Sequence, residues 1–270
     1  MTSIRFALNH MAAPSLAIDD FFKLAKSLGI DAVEIRNDLS GNAIVDGTKP
    51  ETIKDAASRH GLTIISINAL QRFNEWNETR AREAQELIDY ASASGAKALV
   101  LVPKNDGTGR ADGERQANLR QALSVLKPML DEAGIIGLVE PLGFEICSLR
   151  SKTEAAEAIR ELGAESTFRL VHDTFHHHLA GEAATFPELA GLVHISGVSD
   201  PSVSVADMRD SHRVLVDGDD RLDNAGQVRA LLQAGYTGPF SFEPFAAEVH
   251  ALKDPAGALR ASMEYLSARV

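Results

Sequence analysis

The sequence has a single cysteine, fewer basic than acidic residues and no long apolar run. Cys147 stands alone among 270 residues, so no intrachain disulfide can form and no oxidising compartment is indicated. Lys and Arg number 27 against 38 Asp and Glu, and the resulting formal net charge of −11 disfavours a partner bound through many phosphates. No run of about eighteen apolar residues occurs, nor an apolar N-terminal stretch of signal-peptide length. These absences predict a cytoplasmic protein that neither spans a membrane nor binds nucleic acid.

What the sequence does contain is a repeated alternation of short apolar runs and stretches with helical spacing. In the stretch 15–29, for example, Phe21, Leu24 and Leu28 can share one face of a helix. Several of the short runs are apolar at consecutive positions, as expected for strands with both faces covered. The eight runs are residues 4–10, 32–38, 63–70, 98–105, 135–143, 168–175, 192–198 and 240–245.

The alternation predicts an α/β fold, a single (β/α)8 TIM barrel domain over residues 1–270. A doubly wound open sheet is the competing arrangement, but it usually has fewer strands, and no G-x-G-x-x-G loop follows the first strand. After the sixth strand the pattern predicts a shortened helix at 184–191. After the seventh strand, the polar segment 199–223 is long enough to overhang the mouth of a barrel.

Polar side chains follow the last four predicted strands, near the ends that converge on the mouth of such a barrel. Three of them are carboxylates, which would repel one another at close range unless a cation lay among them. Any one alone has a structural explanation, such as an ion pair with an arginine, but their regular placement on four consecutive strands favours one divalent metal ion. Carboxylates with an imidazole suit Mn²⁺, Mg²⁺, Co²⁺ or Zn²⁺, and the sequence leaves that choice open. The four residues are Glu140, Asp173, His194 and Glu243.

The segment LVHDTFHHHLAG contains four histidines with different expected positions. His176 lies three residues beyond Asp173, where it can face the mouth and contact a ligand. His172 precedes Asp173 on the strand, so its side chain should point to the opposite face, toward the helices. His177 and His178 are predicted to be solvated loop residues.

Several segments resemble the xylose isomerase-like TIM-barrel superfamily of sugar isomerases and epimerases, and within it most of all the inosose (2-keto-myo-inositol) isomerases of inositol catabolism. The resemblance runs from the second strand to the eighth. It is carried by VEIRND, ISINALQRFN, LVEPLG, LVHDTFHHHLAG, LVHISGV, HRVLVDGDDRLD and FSFEPF.

The resemblance implies one divalent metal at the four positions named above, substrate contacts from His176 and Arg213, and self-association into homo-oligomers. Relatives tend to have a proline and a glycine after the arginine, whereas this chain reads RVLVDGDD, a difference that bears on the substrate. The predicted activity is isomerisation or epimerisation of a ketose or inosose through a metal-stabilised cis-enediolate. Glu140 and Glu243 are the predicted acid/base groups, with His176 and Arg213 orienting the substrate oxygens.

Three alternatives remain at this point. The same enediolate can expel a β-hydroxyl, as in related inosose dehydratases. The apurinic endonuclease branch of the superfamily shares the D-x-F-H aspartate and histidine, and the triplet 210–212 adds a D-x-H pair. It uses further histidines on strands two to four, however, where this chain has Asn68 and Lys104. A barrel that only binds a sugar is the third alternative, although it leaves the clustered carboxylates without a role.

Overall fold

Eight parallel strands pair in sequence order and close into a barrel, because the eighth pairs with the first. The computed structural model describes residues 4–270. Each predicted apolar run contributes one strand, so the predicted TIM barrel is confirmed. The strands are β1 Phe6–Asn9, β2 Ala32–Arg36, β3 Thr63–Gln71, β4 Ala98–Val102, β5 Ile136–Val139, β6 Phe168–Asp173, β7 Ala190–Ile195 and β8 Phe240–Phe242.

Helices follow the strands and form the outer layer of the barrel. Gly61 and Gly95 end α2 and α3 in the left-handed region, at φ of 65° and 78°, which a residue without a Cβ adopts most easily. None of the helices in residues 4–270 is long and apolar enough to cross a membrane. The helices are α1 Ile18–Ser27, α2 Pro50–His60, α3 Glu78–Ser94, α4 Glu114–Ala133, α5 Lys152–Glu161, α6 Thr174–Ala180, α7 Asn224–Gln233, α8 Ala247–His250 and α9 Pro255–Ser267.

The helix after β6 differs from the prediction. It does not occupy 184–191; α6 instead begins directly at the end of the strand. The reason is the Asp173 side chain, whose Oδ1 accepts hydrogen bonds from the backbone N–H groups of Phe175 at 2.8 Å and His176 at 3.0 Å. The prediction that His177 and His178 are solvated loop residues was therefore wrong, because both lie in α6 and are partly buried.

Successive residues of each strand face opposite sides, which separates two apolar regions. Outward residues such as Val33 and Ile35 pack against the helices. A smaller apolar cluster fills the interior on the side of β4, β5 and β6, with Val100, Leu138 and Val171 among its members. The inward residues near the carboxyl ends of the strands are polar instead. The Arg213 side chain, from the long β7–α7 loop (196–223), contacts two of them.

Candidate active site

Four side chains converge at the carboxyl ends of β5 to β8. Each offers one ligand atom, and these atoms all lie within 4.8 Å of one another. All four residues are buried. The structure thus brings together the residues that the sequence analysis selected, namely Glu140, Asp173, His194 and Glu243.

His194 lies at the centre of the cluster. Its Nδ1 is 3.0 Å from Glu140 Oε1 and 3.2 Å from Glu243 Oε2. Burial alone would lower the pKa of His194, but the negative charges of Glu243, Glu34 and Glu140 outweigh burial and raise that pKa well above its usual value. The cluster therefore favours a positive charge at this point. One imidazole nitrogen and three carboxylates form a donor set that a divalent cation such as Mn²⁺ or Zn²⁺ can use in place of that proton.

The opposite ring nitrogen of His194 is held by a carboxylate that the sequence analysis missed. Nε2 of His194 lies 3.2 Å from Glu34, which is fully buried and accepts hydrogen bonds from Ser66 at 2.5 Å, Asn68 at 2.7 Å and Ser241. Burial favours the neutral carboxyl, yet His194 and these hydrogen bonds outweigh it and lower the pKa of Glu34 to about 2. The charged Glu34 fixes the ring with Nδ1 toward the cluster.

The Arg213 side chain extends from the β7–α7 loop and contacts two of the clustered carboxylates, Asp173 and Glu243. Its Nη2 donates to Asp173 Oδ2 at 2.6 Å and to Glu243 Oε2 at 3.0 Å, while Nε donates to Ser196 Oγ at 2.9 Å. Burial would lower the pKa of Arg213, but the attraction of Asp173 and Glu243 raises it instead. Arg213 is thus a permanent positive charge that orients two of the clustered carboxylates.

A second buried arginine, Arg36 at the end of β2, was also missed. Its Nη1 donates to Glu243 Oε1 at 2.8 Å, and its other nitrogens form a bidentate pair with Asp38 at 2.8 and 2.7 Å. Both guanidinium groups lie near the ring of Phe245, Arg213 at 4.6 Å and Arg36 at 5.4 Å from the centroid. The signal for Glu34 and Arg36 was present in the sequence, as two charges at alternate positions of the otherwise apolar run AVEIR.

The two carboxylates that share Arg213 differ in proton affinity. Burial would raise the pKa of Asp173, but Arg213 and the neighbouring histidines lower it to about 2. Burial, together with repulsion from Glu140, raises the pKa of Glu243 to about 7. The attraction of His194 and Arg213 opposes this increase but does not cancel it. The two neighbouring carboxylates are therefore shifted in opposite directions, and Glu243 holds a proton more readily than Asp173.

A cavity of about 230 Å³ opens beside the cluster, and we call it the inner cavity. Glu140, Glu243, Arg213 and His176 all line it. His176 is buried, and no hydrogen-bond partner for its Nδ1 exists within residues 4–270. Burial lowers the pKa of His176, so the neutral ring has one donor and one acceptor for a polar ligand. Both residues predicted to contact substrate thus lie at the cavity.

On the outer side of β6 a different polar cluster is formed. His172 points toward the helices, as predicted. The buried Nζ of Lys152, at the start of α5, lies 3.0 Å from His172 Nδ1 and 2.6 Å from His177 Nδ1, and Gln227 bonds to the other nitrogen of His172. Burial lowers the pKa of Lys152 to about 8. The sequence analysis gave Lys152 no role, because nothing in its local segment marks it as buried.

Solved structures of other proteins share this architecture. A xylose isomerase domain containing protein from Salmonella typhimurium LT2 is 34% identical, with a TM-score of 0.88 and coverage of 100% of this chain and 97% of that one. The IOLI protein with a binding zinc atom is 19% identical, with a TM-score of 0.88 and 99% of each chain covered. The 3-keto-D-glucoside 4-epimerase YcjR from E. coli is 20% identical, with a TM-score of 0.71 and coverage of 98% and 99%. A comparison with curated proteins finds no match.

A family model described as a xylose isomerase-like TIM barrel matches residues 22–269. That range contains β2 to β8 and therefore all four clustered side chains. The family match is accompanied by 34% identity to a xylose isomerase domain containing protein across 100% of this chain. The chain therefore belongs to the xylose isomerase-like TIM barrel family.

Proposed function

We propose that the protein is a divalent-metal-dependent isomerase or epimerase of a ketose or inosose. The observation that carries the proposal is the buried cluster of three carboxylates and one imidazole, whose ligand atoms lie within 4.8 Å of one another beside the inner cavity. Structural neighbours that act on sugars, such as the 3-keto-D-glucoside epimerase, and the zinc-bound IOLI protein support the same class of reaction.

The residues that would hold the metal are Glu140, Asp173, His194 and Glu243. A bound divalent cation supplies positive charge that stabilises the negative charge developing on the oxygens of an α-hydroxy ketone. The protein adds to this with Arg213, which is buried and keeps its charge at every physiological pH. His176 and Arg213 line the inner cavity, and in our proposal they orient the substrate oxygens.

Proton transfer is assigned to Glu140 and Glu243. They follow β5 and β8, both line the inner cavity, and both are shielded from bulk water. One carboxylate removes the proton from the carbon next to the carbonyl, and the other returns a proton to the neighbouring carbon or to the opposite face of the same carbon. If the proton returns to the former carbonyl carbon, and the hydroxyl proton moves to the former carbonyl oxygen, the product has its carbonyl moved by one carbon. If the proton returns to the opposite face of the same carbon, the product has inverted configuration.

Two alternatives share parts of this site. A dehydratase uses the same first proton abstraction and then loses a β-hydroxyl, so only the products distinguish it. An endonuclease with several metal ions is less favoured, because Asn68 and Lys104 occupy positions where that branch has histidines, and they pair with Glu34 and Glu75. Within residues 4–270 a single group of three or more such ligands comes together.

The test is proton NMR in D₂O with inososes and a panel of ketoses. The enzyme is reconstituted with Mn²⁺ and then exchanged to diamagnetic Mg²⁺, and EDTA-treated enzyme is the control. We expect deuterium at the carbon next to the carbonyl together with a new isomer, and no exchange after EDTA treatment. Loss of water without an isomer would assign the chain to dehydration. Absence of exchange with every compound would contradict the proposed function.

A further inference from the structure

A second cavity, of about 520 Å³, adjoins the inner cavity at the barrel mouth. We call it the outer chamber. It lies between the β5–α5 loop (140–151) and the β7–α7 loop. Asn105, Phe144 and Asp210 line both cavities, so the two cavities are neighbours at these residues. The outer chamber has more than twice the volume of the inner cavity, which already accommodates the reacting groups.

The walls of the outer chamber carry apolar side chains exposed to solvent. Ile146 from one loop is 50% exposed and Val205 from the other is 43% exposed. They are two of the six large hydrophobic residues with high exposure among residues 4–270. Phe144 and Leu179 extend the apolar surface toward the inner cavity. Apolar side chains gathered around one concave site are typical of a surface that a ligand covers.

The charged residues of the outer chamber do not form an anion site. Arg150 donates to the backbone carbonyls of Gly143 and Leu179, both at 2.7 Å, and Arg209 donates to backbone carbonyls of its own loop. Glu145 and Asp210 line the chamber as well, so two negative charges balance the two arginines. With two charges of each sign, these side chains give the chamber no net charge that would favour an anion, and a neutral group fits better.

The junction between the two cavities offers an unpaired polar atom. Asn105 Oδ1 is buried and has no hydrogen-bond partner within residues 4–270. Buried acceptors are nearly always satisfied, so this oxygen is free to accept a hydrogen bond from a ligand hydroxyl or from water. Asp210, which bonds to Arg213 at 3.3 Å, adds a second acceptor at the same place. Hydroxyl groups of a sugar or cyclitol ring are donors of the required kind.

We propose that the substrate is a keto sugar or keto cyclitol whose ring carries a neutral substituent with apolar surface. The keto ring occupies the inner cavity, its hydroxyl groups donate to Asn105 and Asp210, and the substituent covers Ile146 and Val205 in the outer chamber. This inference rests on the proposed function and specifies the substrate class of the same site.

The test compares 3-keto-D-glucose with its methyl and phenyl β-glycosides in the D₂O exchange assay, using the Mg²⁺-loaded enzyme. We expect kcat/KM to rise at least tenfold from the free sugar to the phenyl glycoside, with the methyl glycoside between them. In the double variant Ile146→Ser and Val205→Ser the ratio of kcat/KM for phenyl glycoside to free sugar should fall at least fivefold. Val45→Ser is the matched control, since Val45 is 51% exposed and lies outside both cavities; it should keep the wild-type ratio.

The outcomes separate the two proposals. Exchange with free 3-keto-D-glucose or with an inosose, but no gain from the phenyl group, would overturn the outer-chamber assignment and leave the proposed function intact. A gain that survives the double variant would also overturn the assignment, because the substituent would then bind elsewhere. If neither the free ketones nor the glycosides exchange, the proposed function itself fails.

Discussion

His194 and His172 lie on neighbouring strands with fully buried side chains, yet their surroundings shift the pKa in opposite directions. Burial alone lowers the pKa of both imidazoles. Inside the barrel, the carboxylates around His194 outweigh burial and raise its pKa. Outside the barrel, the charge of Lys152 adds to burial, and the pKa of His172 lies well below its usual value. The sign of the neighbouring charge, rather than the depth of burial, decides the protonation of each ring.

The alternation of strand residues produces this separation. His172 and Asp173 are consecutive in β6, so one points outward and the other inward, and Asp173 is the register partner of His194 in β7. Asp173 thus joins the carboxylates on the inner side of the strand wall, whereas His172 lies beside Lys152 on the outer side. Only the inner side adjoins the inner cavity, which is why the metal and substrate chemistry is assigned there.

The largest effect is expected from Glu243→Gln, which removes one negative charge beside His194. Turnover in the D₂O exchange assay should fall by about 10²- to 10⁴-fold, because the variant lacks an acid/base group and a charged metal ligand. In metal-free protein the pKa of His194 should also fall, as followed by ¹⁵N NMR. Glu248→Gln is the control, since Glu248 is exposed on α8 outside the inner cavity. Wild-type turnover in Glu243→Gln would remove Glu243 from the mechanism.

Lys152→Met tests the cationic side of the comparison through the pH dependence of stability. The pKa of Lys152 is about 8 in the folded protein against 10.5 for the unfolded reference, so between these values the unfolded chain binds more protons. The free energy of unfolding contributed by this residue therefore rises from pH 8 toward 10.5, by about 3 kcal/mol in total. His172, His177, Glu182 and Asp173 are the titratable groups around it.

Urea unfolding of wild type and variant at pH 8, 9 and 10 measures this effect. We expect the unfolding free energy of Lys152→Met minus that of wild type to fall steadily as the pH rises. Only wild type gains stability from residue 152 over this range, because the variant has no group there to titrate. Lys54→Met, at an exposed position on α2, should follow the wild-type slope. Parallel curves for Lys152→Met and wild type would mean that Lys152 titrates normally in the folded protein.

The smallest of the three effects is expected from Glu34→Gln, which leaves the cluster intact and changes only the partner of His194 Nε2. Affinity for Mn²⁺, measured by titration calorimetry, should fall by about 10- to 100-fold, because the ring loses its charged anchor. The ¹⁵N shifts of His194 should report a changed tautomer population. Ser66→Ala removes a single hydrogen bond to Glu34 and should cost less affinity. Equal affinity in wild type and Glu34→Gln would limit Glu34 to a role in folding.

The barrel and the convergence of the four clustered residues could be predicted from the sequence. A polar residue at the end of an apolar strand is recognisable from its immediate neighbours in the chain. It did not reveal Glu34 as the partner of His194, since the hydrogen bonds of Glu34 come from residues on β3, β7 and β8 that are distant in the chain. The start of α6 was missed for a different reason. Asp173 was assigned one role, that of a metal ligand, while its second oxygen also caps the helix.

One carboxylate, that of Asp173, therefore contacts both the buried cluster and the start of α6. Oδ2 faces Arg213 and the cluster, while Oδ1 holds the first backbone amides of α6, including that of His176 itself. The spacing between the Asp173 carboxylate in the cluster and the His176 imidazole is thereby set within four consecutive residues. An asparagine here would keep the cap but lose the charge, and a glutamate would keep the charge but be one methylene too long for the cap. Neither asparagine nor glutamate can therefore make both sets of contacts, and we expect either substitution at Asp173 to disturb one of them.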